Sequence, residues 1–279
     1  MMSDDFQLSD LNLGKRTNYK TGYSSELLQA VPRRLNRQEL GCVDSQPFHG
    51  EDVWHAYELS WLNGRGKPVV ALGRFRLDSA TPNIIESKSF KLYLNSLNQS
   101  RFNDQQRLSS LLENDLSVVA GGKVSVELFA PEDNRSFESQ ALPGECIDGI
   151  DISIDEFRLS PELIRLSPDS VAVSETLHSH LLKSNCLITN QPDWASVVIQ
   201  YSGLKIDREN LLRYLISFRM HNEFHEQCVE RIFCDILNAC SPQQLSVQAL
   251  YTRRGGLDIN PFRTSLKNTP APLRRINRQ

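Results

Sequence analysis

Val53-Trp54-His55-Ala56-Tyr57-Glu58-Leu59-Ser60-Trp61 runs directly into Leu62-Asn63-Gly64. Two sets of side chains alternate along it, which is the period of a strand with two usable faces. Asn-Gly after such a run signals a tight hairpin, because both residues accept a left-handed backbone. Val69 to Leu77 then reads as the returning strand. Two helices are expected next. One spans about Ser89 to Leu97. The other is capped near Asn103-Asp104, carries Leu108, Leu111, Leu112 and Leu116 on one face, and ends at Gly121-Gly122. Lys123 to Phe129 alternates again as a strand.

The same order returns further on. Thr176 to Leu182 and Ala195 to Tyr201 read as strands. Asp207 can cap a helix holding Leu211, Leu212, Leu215 and Ile216. Val229, Ile232, Phe233, Ile236 and Leu237 form the apolar face of a second helix, and Leu245 to Tyr251 is a strand. With an offset of 122, Phe102 falls on Phe224, Lys91 on Arg213 and Leu94 on Ile216, while Ser125-Val126 echoes Ser246-Val247. A duplicated unit follows, each copy an antiparallel sheet with a helix pair on one face, which is an α+β architecture. The expected divisions are an N-terminal arm over 1–50, a first unit over 51–135, a connecting segment over 136–175, a second and catalytic unit over 176–265, and a basic tail over 266–279. The arm is polar and irregular, with Gly14, Pro32 and Gly41. The connecting segment, rich in proline and acids, is expected to hold one or two short elements such as Ile150 to Ile154.

Composition narrows the function classes. A net charge of -3 argues against a protein that mainly grips phosphate backbones, but leaves room for a local basic pocket. No stretch approaches the roughly 18 apolar residues of a membrane helix. Met1-Met2-Ser3-Asp4-Asp5 is acidic, unlike a secretory signal, so a cytoplasmic protein is expected. Six cysteines are too few for a disulfide scaffold. Cys228, Cys234 and Cys240 recur at a spacing foreign to zinc sites and read as buried or half-buried helix cysteines.

Several segments can carry chemistry, each with a plainer alternative. Gly64-x-Gly66 is a hairpin turn and not a dinucleotide fingerprint, since a strand follows it. Glu86-Ser87-Lys88-Ser89-Phe90-Lys91 sits where a strand hands over to a helix. It is an anion site or a capping cluster with Glu86 and Lys88 solvated. Cys186 lies in a polar, turn-rich loop with Asp193 seven residues on. It is an activatable thiol beside an acid, or an inert loop thiol. His225-Glu226 opens a helix, as catalytic groups or as polar residues at its N-terminus. His178-x-His180 shares one strand face, yet no Cys, Asp or third His stands at a telling spacing, which favours a structural pair. Arg253-Arg254-Gly255-Gly256 allows close approach to a phosphate, or is a surface turn.

Together, Glu86-Ser87-Lys88-Ser89-Phe90-Lys91, Cys186 with Thr189-Asn190-Gln191-Pro192-Asp193, Phe224-His225-Glu226 and Arg254-Gly255-Gly256 resemble, in this order, the NADPH-dependent 7-cyano-7-deazaguanine reductases of queuosine biosynthesis. The similarity runs through most of residues 15–265 and is to the long form with two tandem tunnelling-fold units. The resemblance implies a homodimer assembled through sheet edges, with shared sites. It implies that Cys186 attacks the nitrile carbon to give a thioimide and that Asp193 donates protons. Ile85, Glu86 and Ser87 would meet the purine-like edge, Phe224 would lie near the ring, and His225 and Glu226 would close over the substrate, with His225 among the catalytic groups. Ser87, Lys88, Arg254 and Gly255 would contact NADPH as co-substrate. No metal and no direct nucleic-acid partner are expected, and the tail with Lys267, Arg274, Arg275 and Arg278 is read as solvated. Two rivals remain: a pterin cyclohydrolase-like enzyme of the same fold, and a non-catalytic purine- or tRNA-binding protein.

Overall fold

A computed structural model describes residues 20–42, 46–133, 135–169 and 171–279; the expectations for Met1–Asp5 and Gly14 lie outside them. The described part of the arm is more regular than its composition suggests. Ala30–Pro32 (β1) is a strand and Arg34–Glu39 (α1) a helix. Val31 is buried against Ile84 and Phe224, so one apolar side chain docks a polar segment onto the body of the protein.

The hairpin is present as His49–Leu62 (β2) and Pro68–Asp78 (β3). The side chain of Asn63 closes its turn by accepting from the amides of Arg65 and Lys67. The simple alternation fails within β2. Its register with β3 shifts between Ala56 and Leu59. A bulge of this kind reverses which set faces inward. Trp54 and Ala56, and then Leu59 and Trp61, therefore enter the same core.

Asn83–Ile85 (β4) pairs with β1 and leads into Ser87–Ser96 (α2), followed by Gln105–Ala120 (α3) and Val124–Phe129 (β5). Asp104 caps α3 by accepting from the Gln106 amide, and Gly121 ends it in a left-handed conformation with φ 71°. Among the described residues of the connecting segment, Glu145–Cys146 (β6) is a strand, and the next strand begins at Ala172, before the segment's expected end. The element expected at Ile150 to Ile154 is not one: Ile150 and Ile152 instead pack, half-buried, against the second core. The second half comprises Ala172–Ser179 (β7), Lys183–Asn185 (β8), Pro192–Leu204 (β9), Arg208–Ser217 (α4), His225–Cys240 (α5) and Gln244–Tyr251 (β10). Asp207 caps α4 through the Asn210 amide, as its position predicts. Cys228, Cys234 and Cys240 are buried.

The sequence pattern gives no sign of a further strand, Leu257–Thr264 (β11). Asp258, Asn260 and Pro261 disguise it. Among the described residues, nine strands form one sheet in the order β5-β3-β2-β11-β10-β9-β7-β6, with β8 branching from β9. Every pairing is antiparallel except β6 with β7. Thus β11 joins the two halves by pairing with β2 on one side and β10 on the other. Both helix pairs lie on one face, over cores containing Phe75, Phe90 and Leu112 in the first half, and Leu177, Ile199 and Phe233 in the second. No helix of the described residues is long and apolar enough to cross a membrane.

The basic tail is only partly solvated: Lys267 and Arg278 are exposed, but Arg274 and Arg275 are half-buried. Ala271, Ile276 and Gln279 are buried. Arg274 reaches the Gln248 side chain at 2.7 Å, Arg275 the Phe137 carbonyl at 3.0 Å, and Gln279 donates to Asn260 at 2.6 Å. Gln248 of β10 and Asn260 of β11 supply two of these partners from the sheet face away from the helices, which is why a polar tail can be held there.

Beneath α5, the halves and the arm meet in a buried ion network. Asp52 receives Arg33 at 2.5 Å and Arg263 at 2.8 Å; Glu230 receives Arg37 at 2.7 Å and Arg263 at 2.9 Å. Removing one member of such a network leaves buried charge without a partner. Glu230→Ala is expected to lower the unfolding free energy by about 3–5 kcal/mol, read from urea denaturation. A loss below about 1 kcal/mol would mean that these groups behave like surface pairs.

Candidate active site

Cys186 follows β8 in a loop closed on itself. Its amide donates to the Gln191 carbonyl at 2.8 Å and its carbonyl accepts from the Asn190 amide at 3.0 Å. Asn190 takes φ 55°, a conformation asparagine tolerates better than most residues, and its side chain accepts from Asn222 at 3.0 Å. The loop thereby returns the chain to the start of β9, where Asp193 is 2% exposed. Cys186 is 9% exposed, so the thiol is sheltered without being sealed.

Phe224 precedes the first turn of α5, where Gln227 Oε1 accepts from the Phe224 amide. His225 follows and directs Nε2 to within 3.6 Å of Asp193 Oδ1. Its ring meets Tyr251 edge to face, with centroids 4.0 Å apart. Burial lowers the His225 pKa to about 4, and the Asp193 charge only partly opposes this. The imidazole is therefore neutral at pH 7. Burial, reinforced by Asp52, raises Glu226 to about 8, so this carboxyl holds its proton at the same pH.

Glu86 is completely buried, and both its oxygens cap α2, receiving the amides of Lys88 and Ser89 at 2.7 Å each. The capping half of the plainer alternative is thus present, but Glu86 is not solvated. Burial pushes its carboxyl up, while the two amides and then Lys91 and Lys88 pull it down. Ser87 and Lys91, four residues apart, share one face of α2.

A small cavity brings eight of the candidates together: Cys186, Asp193, His225 and Glu226, with Phe224, Ile85, Ser87 and Arg254 around them. Residues of both halves line it, because the β2–β11 junction sets α2 beside the start of α5. Arg254 contacts the side chains of both Asp193 and Gln191. Glu86 lies behind the wall. Lys88 is half-buried and lines neither this cavity nor its neighbour. Gly255 lines an adjoining cavity, and Lys91 borders both. A Cβ on Gly255, which has φ +56°, would stand 3.0 Å from Lys91 Cδ, so any other residue would strain the turn and push the lysine aside. Two cations beside a glycine turn suit a phosphorylated nucleotide. Burial and Arg254 lower the Lys91 pKa, a strain that an anion would relieve.

Sequence reasoning gave no role to Lys91, Trp54 or Glu223, which also line the first cavity. The spacing from Ser87 was a usable signal for Lys91. Trp54 and Glu223 offered none, since their approach depends on packing between halves. One reading is corrected away from the cavity: a cysteine does stand near His178 and His180, because β6 brings Cys146 to them.

Residues 19–128 match the family profile described as nitrile reductase, 7-cyano-7-deazaguanine-reductase N-term, and residues 192–270 match the one described as QueF-like protein. Among solved structures, the chain is similar to the archaeosine synthase QueF-Like in the apo form, at 18% identity over 35% of this chain and 94% of that one, with a TM-score of 0.29.

The two shifted groups predict opposite arms of a stability profile. Glu226 ionises near 4.5 when unfolded but near 8 when folded, so stability falls as pH rises through that window. His225 protonates near 6.5 unfolded but near 4 folded, so stability falls as pH drops from 6.5 toward 4. Glu226→Gln removes the first arm alone. Its urea midpoint is expected to rise relative to the parent between about pH 5 and pH 8. A pH-independent difference would show Glu226 already ionised in the folded chain.

Proposed function

Because this chain belongs to the QueF family of nitrile reductases, we propose that it reduces the nitrile of 7-cyano-7-deazaguanine to the aminomethyl group in queuosine biosynthesis, with NADPH as reductant. The observation that carries the reading is the cavity where one thiol, one buried acid and one neutral imidazole converge.

A nitrile is a poor hydride acceptor. Addition of the Cys186 sulfur to its carbon, with a proton passing to nitrogen, converts it to a thioimide, which accepts hydride more readily. Asp193 is the proposed proton donor, and His225, neutral and beside it, orients that proton and hydrogen-bonds the nitrogen. NADPH supplies one hydride to the thioimide and a second to the imine left when the Cys186 sulfur departs. Each hydride is matched by one proton, giving the primary amine and two oxidised nucleotides. The sheltered cavity keeps water from the imine between the two reductions.

Substrate recognition is assigned to Ile85, Glu86, Ser87 and Phe224. A carboxylate has about four lone-pair positions, so Glu86 has acceptor capacity beyond its cap of α2, and it meets a guanine-like N–H edge only when the Ile85–Ser87 wall in front of it opens. Glu226, holding its proton, is proposed to donate to a ring acceptor, and His225 with it closes over the substrate. Lys88, Arg254, Gly255 and Ser87 are proposed to hold the nucleotide, with Lys91 added from the lining of both cavities. In this scheme Arg254 leaves Asp193 for a phosphate, which frees Asp193 to take up a proton. Residues 51–135 and 176–265 are proposed as tandem tunnelling-fold units. The proposed assembly is a cytoplasmic homodimer joined at sheet edges; β5 and β6, which end the sheet, offer such edges, and the six cysteines are free.

Incubation with 7-cyano-7-deazaguanine is expected to add the mass of the nitrile to Cys186. Cys186→Ala is expected to abolish both the adduct and NADPH oxidation. Asp193→Ala should still form adduct slowly but reduce it on the order of 100-fold more slowly, as for loss of a general acid. Near-normal turnover in Cys186→Ala would overturn the mechanism.

A further inference from the structure

On the sheet face away from the helices, β7 carries a second cluster of reactive side chains. Leu177 points into the helix-covered core. Its neighbour His178, and His180 two residues on, therefore point to the other face. The parallel pairing of β6 with β7 sets Cys146 directly beside His178. One ligating atom from each of Cys146, His178 and His180 lies within 4.8 Å of the others. A tetrahedral zinc ion places its ligand atoms about 3.5 Å apart, so a small rotation of the exposed Cys146 side chain closes the set.

The surroundings are built to hold this arrangement. Gly144, with φ +77°, lets the connecting segment press against β7: a Cβ there would stand 2.0 Å from the Thr176 carbonyl oxygen. Nδ1 of His178 lies 3.0 Å from the Pro143 carbonyl. A carbonyl only accepts, so Nδ1 bears the proton and Nε2 keeps its lone pair. Nδ1 of His180 lies 2.8 Å from Ser196 Oγ. Asp148 accepts from the His180 amide at 2.9 Å and from Ser179 Oγ at 2.5 Å, adding negative charge close by. Rings fixed through one nitrogen are typical of metal-binding histidines.

We propose that Cys146, His178 and His180 bind a borderline-soft divalent cation of the Zn²⁺ class. Binding exchanges the Cys146 thiol proton for the metal, with water as fourth ligand. The ion would pin the connecting segment to β7. Its site lies across the sheet from the Cys186 cavity, so it takes no part in the nitrile chemistry.

The test is titration of the chelator-treated full-length protein with Co²⁺, a spectroscopic stand-in for Zn²⁺. Near-ultraviolet absorption from thiolate-to-cobalt charge transfer is expected to saturate at about one equivalent and to be displaced by Zn²⁺. Cys146→Ser should abolish the band, and Cys186→Ser should retain it. Cys146 is exposed on an edge strand, so the first variant keeps its fold, which circular dichroism checks. Absence of the band in the parent protein, its survival in Cys146→Ser, or its loss in Cys186→Ser would each overturn the proposal.

Discussion

Arg263 is wholly buried and lies between two carboxylates, Asp52 and Glu230, that come from different halves of the chain. Desolvating this guanidinium is tolerable only with both partners in place. Asp52 belongs to β2, Glu230 to α5 and Arg263 to β11, while Arg33 and Arg37 of the arm complete the set. The network therefore fixes how the first sheet, the second helix pair and the arm sit together. Because the cavity is walled by α2 on one side and the start of α5 on the other, its shape depends on that junction.

Burial also decides the protonation of the cavity. His225 and Glu226 are adjacent at one helix terminus, yet water exclusion drives them the same way, toward neutrality. The neutral imidazole and the protonated carboxyl sit beside the Asp193–Arg254 ion pair, with Lys91 and Glu223 also in the lining.

Local patterns carried much of this. The helix caps at Asp104 and Asp207, the leucine faces and the order of elements were all legible, because each depends on residues a few positions apart. The quoted strand was legible as a strand but not in its facing, since a bulge at Tyr57–Glu58 answers to pairing with β3 and to a hydrogen bond from the Tyr57 amide to Gly256. β11 escaped notice because its polar side chains are satisfied by distant partners: Asp258 by His55, and Asn260 by Gln279. Cys146 was invisible as a neighbour of His178 for the same reason. Spacing along the chain says nothing about a parallel pairing across 32 residues. Within the cavity, Cys186, Asp193 and the His225-Glu226 pair stood out by residue type, whereas Trp54 and Glu223 entered only through tertiary packing.

The β2–β11 pairing has a consequence for biosynthesis. Val53 and Asn260 are partners 207 positions apart, so the open edge of β2 is made long before its mate. At ordinary ribosomal speeds the nascent chain waits roughly 10–40 s for the closing strand. An uncovered strand edge in that interval is a template for pairing with other nascent chains. Glu51 and Asp52 place carboxylates at the start of that strand, and Arg263 of β11 pairs with Asp52 once the two strands meet.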